Sequence, residues 1–197
     1  MIAVMKQLKI GLMLLLFFTV LTGVIYPGII TLIAQLLFSQ SANGSIIFQN
    51  EKPIGSLLIG QSFSSPYYFW GRPSATTPFA YNSANSSGSN LGPTNPALLS
   101  LVKVRVENLK RNFGFGPIPV DLVTASASGL DPDISPEAAY YQVQRIAKLR
   151  HMQPQKLTEI IINLTQKRTW KVLGEARVNV LQLNLALDHL DRKSYDR

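Results

Sequence analysis

The sequence predicts an α+β protein: a single N-terminal transmembrane helix followed by one extracytoplasmic α+β domain. Three observations carry that expectation. No Asp, Glu, Lys or Arg occurs between Ile10 and Asn50, and Gln35 is the only strongly polar side chain in Ile10–Phe38. The charges that precede this stretch are Lys6 and Lys9. After Ser39 the chain turns polar, and helix-capping pairs alternate with short strand-like and turn-rich segments.

The apolar stretch comes first. About 20 such residues cross the hydrocarbon core of a bilayer. A signal-peptide core has only about 7–15, so the segment reads as a retained span. The alternative, a buried helix of a soluble domain, is disfavoured because a soluble protein's helix rarely lacks a polar face over about eight turns. The anchor is assigned to residues 1–38, with the span itself over about 7–30. Tyr26-Pro27-Gly28 predicts a kink or break there, because proline lacks the amide donor and crowds the preceding turn. Ile29–Phe38 then extends past the outer headgroups or packs on a partner. Thr19 and Gly23 form a small pair on one face, suited to close helix packing in lipid. With the lysines at its start, the positive-inside rule leaves the N-terminus in the cytoplasm and everything after Ser39 outside.

Residues 39–197 are long enough for one hydrophobic core. Ser45–Gln49 and Gly55–Gln61 read as strands around the turn-like Asn50-Glu51-Lys52-Pro53. Seven aromatic side chains follow within Phe63–Tyr81, where Pro66, Pro73 and Pro78 forbid a long helix. Asn82–Asn95 is a polar loop. Asn95-Pro96 opens a helix that Gly114 ends. Pro117–Val120 restarts an extended segment, and Ser135-Pro136 opens a second helix reaching about Arg150. Leu157, Ile160, Ile161 and Leu164 share the face of a third. Asn179–Leu190 alternates leucines like a strand, but Asn179 as a cap and the spacing of Gln182, Asp188 and Asp191 favour a helix.

Composition excludes several chemistries. The chain has no Cys, which removes disulfides, thiolate metal sites and thiol nucleophiles. Two histidines, His151 and His189, leave little for an imidazole-rich metal site, and no metal ligand set or catalytic residue is assigned. Lys103, Arg105, Lys110, Arg111, Arg145, Lys148 and Arg150 give a basic character that reads first as solvated helix faces and second as attraction to anionic lipid headgroups. An extracytoplasmic address argues against nucleic acid. Thr124–Gly129 (TASASG) is either an anion nest of successive amides or a run that lets backbones approach closely. It lacks the Gly-Lys-Ser/Thr ending of a Walker loop. Arg72, the one charge between Pro53 and Val102, follows Trp70-Gly71. It either meets a partner through a carboxylate or an aromatic face, or staples its own loop. Ser87-Gly88-Ser89 invites comparison with membrane-bound signal peptidases, whose nucleophilic Ser lies in a Ser-Gly-Ser-Met context. Here Asn90 follows, and a membrane-anchored hydrolase using Ser89 stands as the alternative function.

Blocks in order along nearly the whole chain carry a stronger resemblance. They are Tyr26-Pro27-Gly28, Gly60-Gln61-Ser62-Phe63, Tyr68-Phe69-Trp70-Gly71-Arg72-Pro73-Ser74-Ala75, and Ser87-Gly88-Ser89-Asn90-Leu91-Gly92-Pro93-Thr94-Asn95-Pro96. Pro119–Pro132, Ile134-Ser135-Pro136, Gly174-Glu175 and Arg177-Val178-Asn179-Val180 complete the set. Together they resemble the C chain of the Kdp potassium-transporting ATPase, a bacterial inner-membrane complex for high-affinity potassium import. The resemblance implies an auxiliary subunit that does not itself hydrolyse ATP. Its partners would be a potassium-selecting A chain, a P-type B chain and a small F chain, within the lipid bilayer. The family is described as a catalytic chaperone that raises the B chain's affinity for ATP, which makes ATP its suggested ligand. The outward orientation read from the lysines places the domain instead at the outer mouth of the A chain. Thr19, Gly23, Trp70 and Arg72 are the expected partner contacts.

Overall fold

The computed structural model describes residues 2–114 and 116–195. The chain divides into two compact units, one ending at Ile46 and one beginning at Ile47. In the first, α1 (Ile2–Val20) runs through a π-helical turn at Leu21–Ile25 into α2 (Tyr26–Leu37). Ala3–Leu37 thus forms one 35-residue apolar helix, none of it buried in the protein, and it is long and apolar enough to cross a membrane. At ~1.5 Å per residue it spans roughly 50 Å, well beyond the ~30 Å hydrocarbon core.

The kink or break expected at 26–28 is replaced by this wide turn one step earlier. Pro27 has no N–H to offer the carbonyl of Gly23, and its ring crowds that carbonyl. Widening the turn relieves the clash: the Tyr26 N–H bonds to the Leu21 carbonyl, five residues back. Thr22 Oγ1 donates to the Phe18 carbonyl at 2.7 Å, satisfying another acceptor in this region. At the far end, the Gln35 amide exchanges hydrogen bonds with Asn43 at 3.2 and 3.3 Å. The short α3 (Ser39–Ala42) follows, with Ser45 N donating to Gln40 O at 2.9 Å.

A hairpin follows, β1 (Ile46–Gln49) and β2 (Lys52–Ser56), all of it but Ile46 in the second unit. Its turn is Asn50-Glu51 alone, with φ of 50° and 63°. Both residues lie in the left-handed region that a two-residue hairpin of this hand requires. The second strand therefore starts three residues before the expected Gly55. Pro53 sits inside it, tolerated because a two-stranded sheet has only edges.

The helices follow their caps. In α4 (Pro96–Phe113) Asn95 Oδ1 accepts from Ala97 N at 2.9 Å, and Gly114 at φ 86° ends the helix. In α5 (Pro136–Leu149) Ser135 Oγ accepts from Ala138 N at 3.1 Å. The third expected helix is α6 (Pro154–Leu164). Pro117–Val120 leads not into a strand but into a 3-10 turn at Val120–Leu122. β3 (Asp133–Ile134) pairs antiparallel with β4 (Val178–Asn179), Asp133 opposite Asn179 and Ile134 opposite Val178. Asn179 then caps α7 (Val180–Tyr195), its Oδ1 accepting from Gln182 N at 3.1 Å. This small ladder fixes the starts of α5 and α7 together. The core lies among α5, α6 and α7, where Ala138, Ile146, Leu157, Ile161, Leu183 and Leu187 are all buried.

Candidate functional site

The aromatic segment Phe63–Tyr81 has almost no regular secondary structure, yet it lies directly on the core. Two buried amide side chains hold it. Asn184 Oδ1 accepts from Phe69 N at 2.8 Å while its Nδ2 donates to Phe69 O at 3.0 Å. Gln142 does the same for the next residue, accepting from Trp70 N at 2.8 Å and donating to Trp70 O at 3.0 Å. Each side chain imitates a neighbouring strand, satisfying both backbone groups of a peptide that water does not reach. Phe69 is completely buried as a result.

Arg145 completes the clamp from α5. Its guanidinium donates to Pro66 O, to Tyr68 O at 2.8 Å and to Gln142 Oε1 at 3.1 Å. It also stacks over Trp70 and Phe113, 4.8 and 4.3 Å from the ring centroids. Burial pulls its pKa down to about 10, which leaves it charged at neutral pH. Carbonyl dipoles and aromatic faces therefore hold this buried cation. Below it, Arg150 donates to Tyr67 O at 2.7 Å, pairs with Asp188 at 3.1 Å and covers the Tyr68 ring. Trp70 Nε1 donates to Ser65 O at 2.9 Å, and its ring meets Phe113 edge-on.

Arg72 lies where this clamped segment emerges. Its Nη1 pairs with Asp131 Oδ2 at 3.1 Å, and both side chains remain more than a quarter exposed. Asp131 is itself fixed, its Oδ1 accepting from Asp133 N at 3.0 Å. The Tyr81 hydroxyl donates to Arg72 O at 2.6 Å. Burial, then the charge of Asp131, pushes the Tyr81 pKa up to about 12, against a smaller opposing pull from Arg72. Arg72 Nε is buried without a partner. An open cleft of about 280 Å³ lies alongside, lined by Phe63, Trp70, Arg72, Arg105, Asn108 and Leu122 among others. Arg105 donates to Val123 O at 2.8 Å, and burial lowers its pKa. The cleft is thus apolar-walled and bears two cations.

The other expected residues fall elsewhere. Thr19 and Gly23 are exposed on the long helix, and a Cβ added at Gly23 meets nothing within 4 Å. The π turn begins between them, so their alignment departs from the simple four-residue spacing. Ser89 is exposed and forms no side-chain hydrogen bond among the described residues, so nothing there activates it as a nucleophile. The TASASG run serves close packing. Ser87 N donates to Ser128 O at 3.0 Å, and a Cβ on Gly129 would stand 2.6 Å from Ser87 O. Among the described residues no group of three His, Asp or Glu side chains could hold a metal ion. The geometry is that of an irregular segment braced on the core by two amides and two guanidinium groups.

Sequence reasoning missed Gln142 and Asn184, and its reading of Arg145 and Arg150 as solvated is corrected: Arg145 is 8% exposed and the Arg150 side chain 6%, each held by carbonyls of the aromatic segment. A signal existed: Gln142 and Arg145 share the face of α5 that carries Ala138 and Ile146, and Asn184 shares that of Val180 and Leu187. A polar side chain inside a buried apolar stripe has a specific partner.

Comparison with known proteins decides the family. Residues 8–189 match the family described as "K+-transporting ATPase, c chain". The chain belongs to the KdpC family. A potassium-transporting ATPase KdpC subunit of Dechloromonas aromatica is 56% identical over 176 residues, covering 88% of this chain and 92% of that protein. The one from Methylococcus capsulatus is 55% identical over 188 residues, covering 94% and 98%. That from Herpetosiphon aurantiacus is 58% identical over 181 residues, covering 91% and 93%. KdpC is an accessory subunit, not a hydrolase, so the Ser89 alternative falls away. Its one long apolar N-terminal helix fits a membrane subunit.

Proposed function

We propose that this chain serves the potassium-importing Kdp complex of the bacterial inner membrane as an outward-facing docking subunit. The long helix crosses once with its N-terminus inside, since Lys6 and Lys9 mark the cytoplasmic end. The domain stands outside and seats on the potassium-selecting A chain, stabilising the assembly with the B and F chains. The observation that supports this most is the clamped segment around Trp70 and Arg72. Two amides and a buried guanidinium make it rigid without a sheet, and pre-organisation of that kind lowers the cost of binding. The cleft beside Arg72 and Arg105 suits an acidic or aromatic side chain of a partner. From outside, the domain cannot touch cytoplasmic ATP. The rise in the B chain's ATP affinity described for the family then travels through the assembly.

Co-purification tests the reading. Gly23→Leu puts a bulky side chain at an open position on the helix and should lower the amount of this chain recovered with the A chain. Arg72→Ala should lower complex yield or potassium affinity. If both variants assemble and transport normally, the proposed contacts are wrong.

A further inference from the structure

Between α6 and β4 the chain leaves the body of the domain as a finger. Gln166 and Arg177 close its base, exchanging backbone hydrogen bonds at 2.9 and 3.0 Å. Thr169 N donates to Leu173 O and Leu173 N to Thr169 O, both at 2.9 Å, closing the tip. Residues 167–175 are all exposed, so none of the domain's core rests on them. The apex is Trp170-Lys171, both at positive φ, 52° and 67°. Large side chains rarely adopt that conformation. Here it places an indole 82% exposed beside Val172 at 74% and Leu173 at 53%. Cations surround this apolar tip. Glu175 is the one acid of the finger and is paired with Arg168, while Lys167 and Lys171 form no ion pair among the described residues.

We propose that the Trp170–Leu173 tip is a lipid-interface anchor, dipping into the headgroup layer of the bilayer that the chain's own N-terminal helix crosses. An indole has an apolar body and one N–H donor, and tryptophan concentrates at the membrane–water boundary for that reason. Val172 and Leu173 reach the acyl boundary, and Lys167 and Lys171 meet the phosphates of anionic phospholipids. Three adjacent apolar residues are a small anchor. Because the same chain supplies the membrane span, the second contact is intramolecular and a small anchor suffices. A protein groove is the competing occupant. The finger's convex tip and its excess of one sign of charge favour a soft anionic surface over a matched protein pocket.

Absence of cysteine makes the test clean. A nitroxide is attached at Val172→Cys in the full-length chain, in nanodiscs of phosphatidylcholine with phosphatidylglycerol. The label should be reached by oxygen in preference to a water-soluble nickel chelate. The same label at Ser89→Cys should show the opposite preference. Lys167→Glu with Lys171→Glu, or discs of phosphatidylcholine alone, should shift the Val172→Cys label toward the chelate. A Val172→Cys label as open to the chelate as the Ser89→Cys label overturns the proposal. So does one that becomes protected from both reagents only when the other chains of the complex are added, since that marks a protein contact.

Discussion

Replacing Asn184 with alanine tests the amide clamp directly. Asn184 is 2% exposed and Phe69 is fully buried, so no water can take over the bonds that are lost. Removal orphans Phe69 N and Phe69 O, which bonded to the side chain at 2.8 and 3.0 Å. Leaving one buried backbone group unpaired costs ~1–3 kcal/mol. Two such groups, partly relieved as the segment shifts, give an expected loss of ~2–4 kcal/mol. A domain holds only ~5–15 kcal/mol in total, so the effect is large. Urea unfolding of the full-length chain in detergent, followed by tryptophan emission, reads it. Gln142→Ala should weaken the domain similarly. Both amides hold consecutive residues of one segment, so the double variant should lose less than the two single losses added. Ser89→Ala, on an exposed loop, should stay within about 0.5 kcal/mol of the parent. A loss below ~1 kcal/mol for Asn184→Ala, or strict additivity in the double variant, refutes the clamp.

Other predictions concern packing and ionisation. Gly129→Ala puts a Cβ 2.6 Å from Ser87 O and 2.7 Å from Thr76 Cγ2 at a residue with φ 67°. It should destabilise the domain by at least ~1–3 kcal/mol in the same unfolding assay. Tyrosine absorbance, titrated to high pH, should show a late component near the value of about 12 set by burial of Tyr81, with Tyr141 also raised by burial. Tyr81→Phe should remove the component near 12 and leave the raised Tyr141 in place. Tyr81's folded pKa lies above the unfolded value, so its contribution to stability is complete below about pH 10 and is lost as pH rises through about 12.

Much of the fold was legible because it obeys local rules. The span was written in an uncharged apolar run. The starts of α4, α5 and α7 were written in Asn95-Pro96, Ser135-Pro136 and Asn179, where a side chain reaches an amide two or three residues away. Proline gave the place of irregularity in the long helix but not its form, since a break and a π turn both answer a missing donor. The site was harder. Asn184 and Phe69 are 115 residues apart, Gln142 and Trp70 72 apart, and Arg72 and Asp131 59 apart. No periodicity links such pairs. The aromatic run and its lone Arg72 located the segment. What braces it came from polar residues hidden in apolar helix faces, which a count of leucines passes over.

Orientation is the claim on which the proposed role rests, and one labelling experiment meets it head-on. The chain has no cysteine, and Ser89 is exposed and unbonded, so Ser89→Cys supplies a single harmless handle. A membrane-impermeant maleimide is applied to intact spheroplasts carrying the complex. The account predicts full labelling before lysis. Labelling that appears only after the membrane is broken would place the domain in the cytoplasm and return direct contact with the nucleotide to consideration.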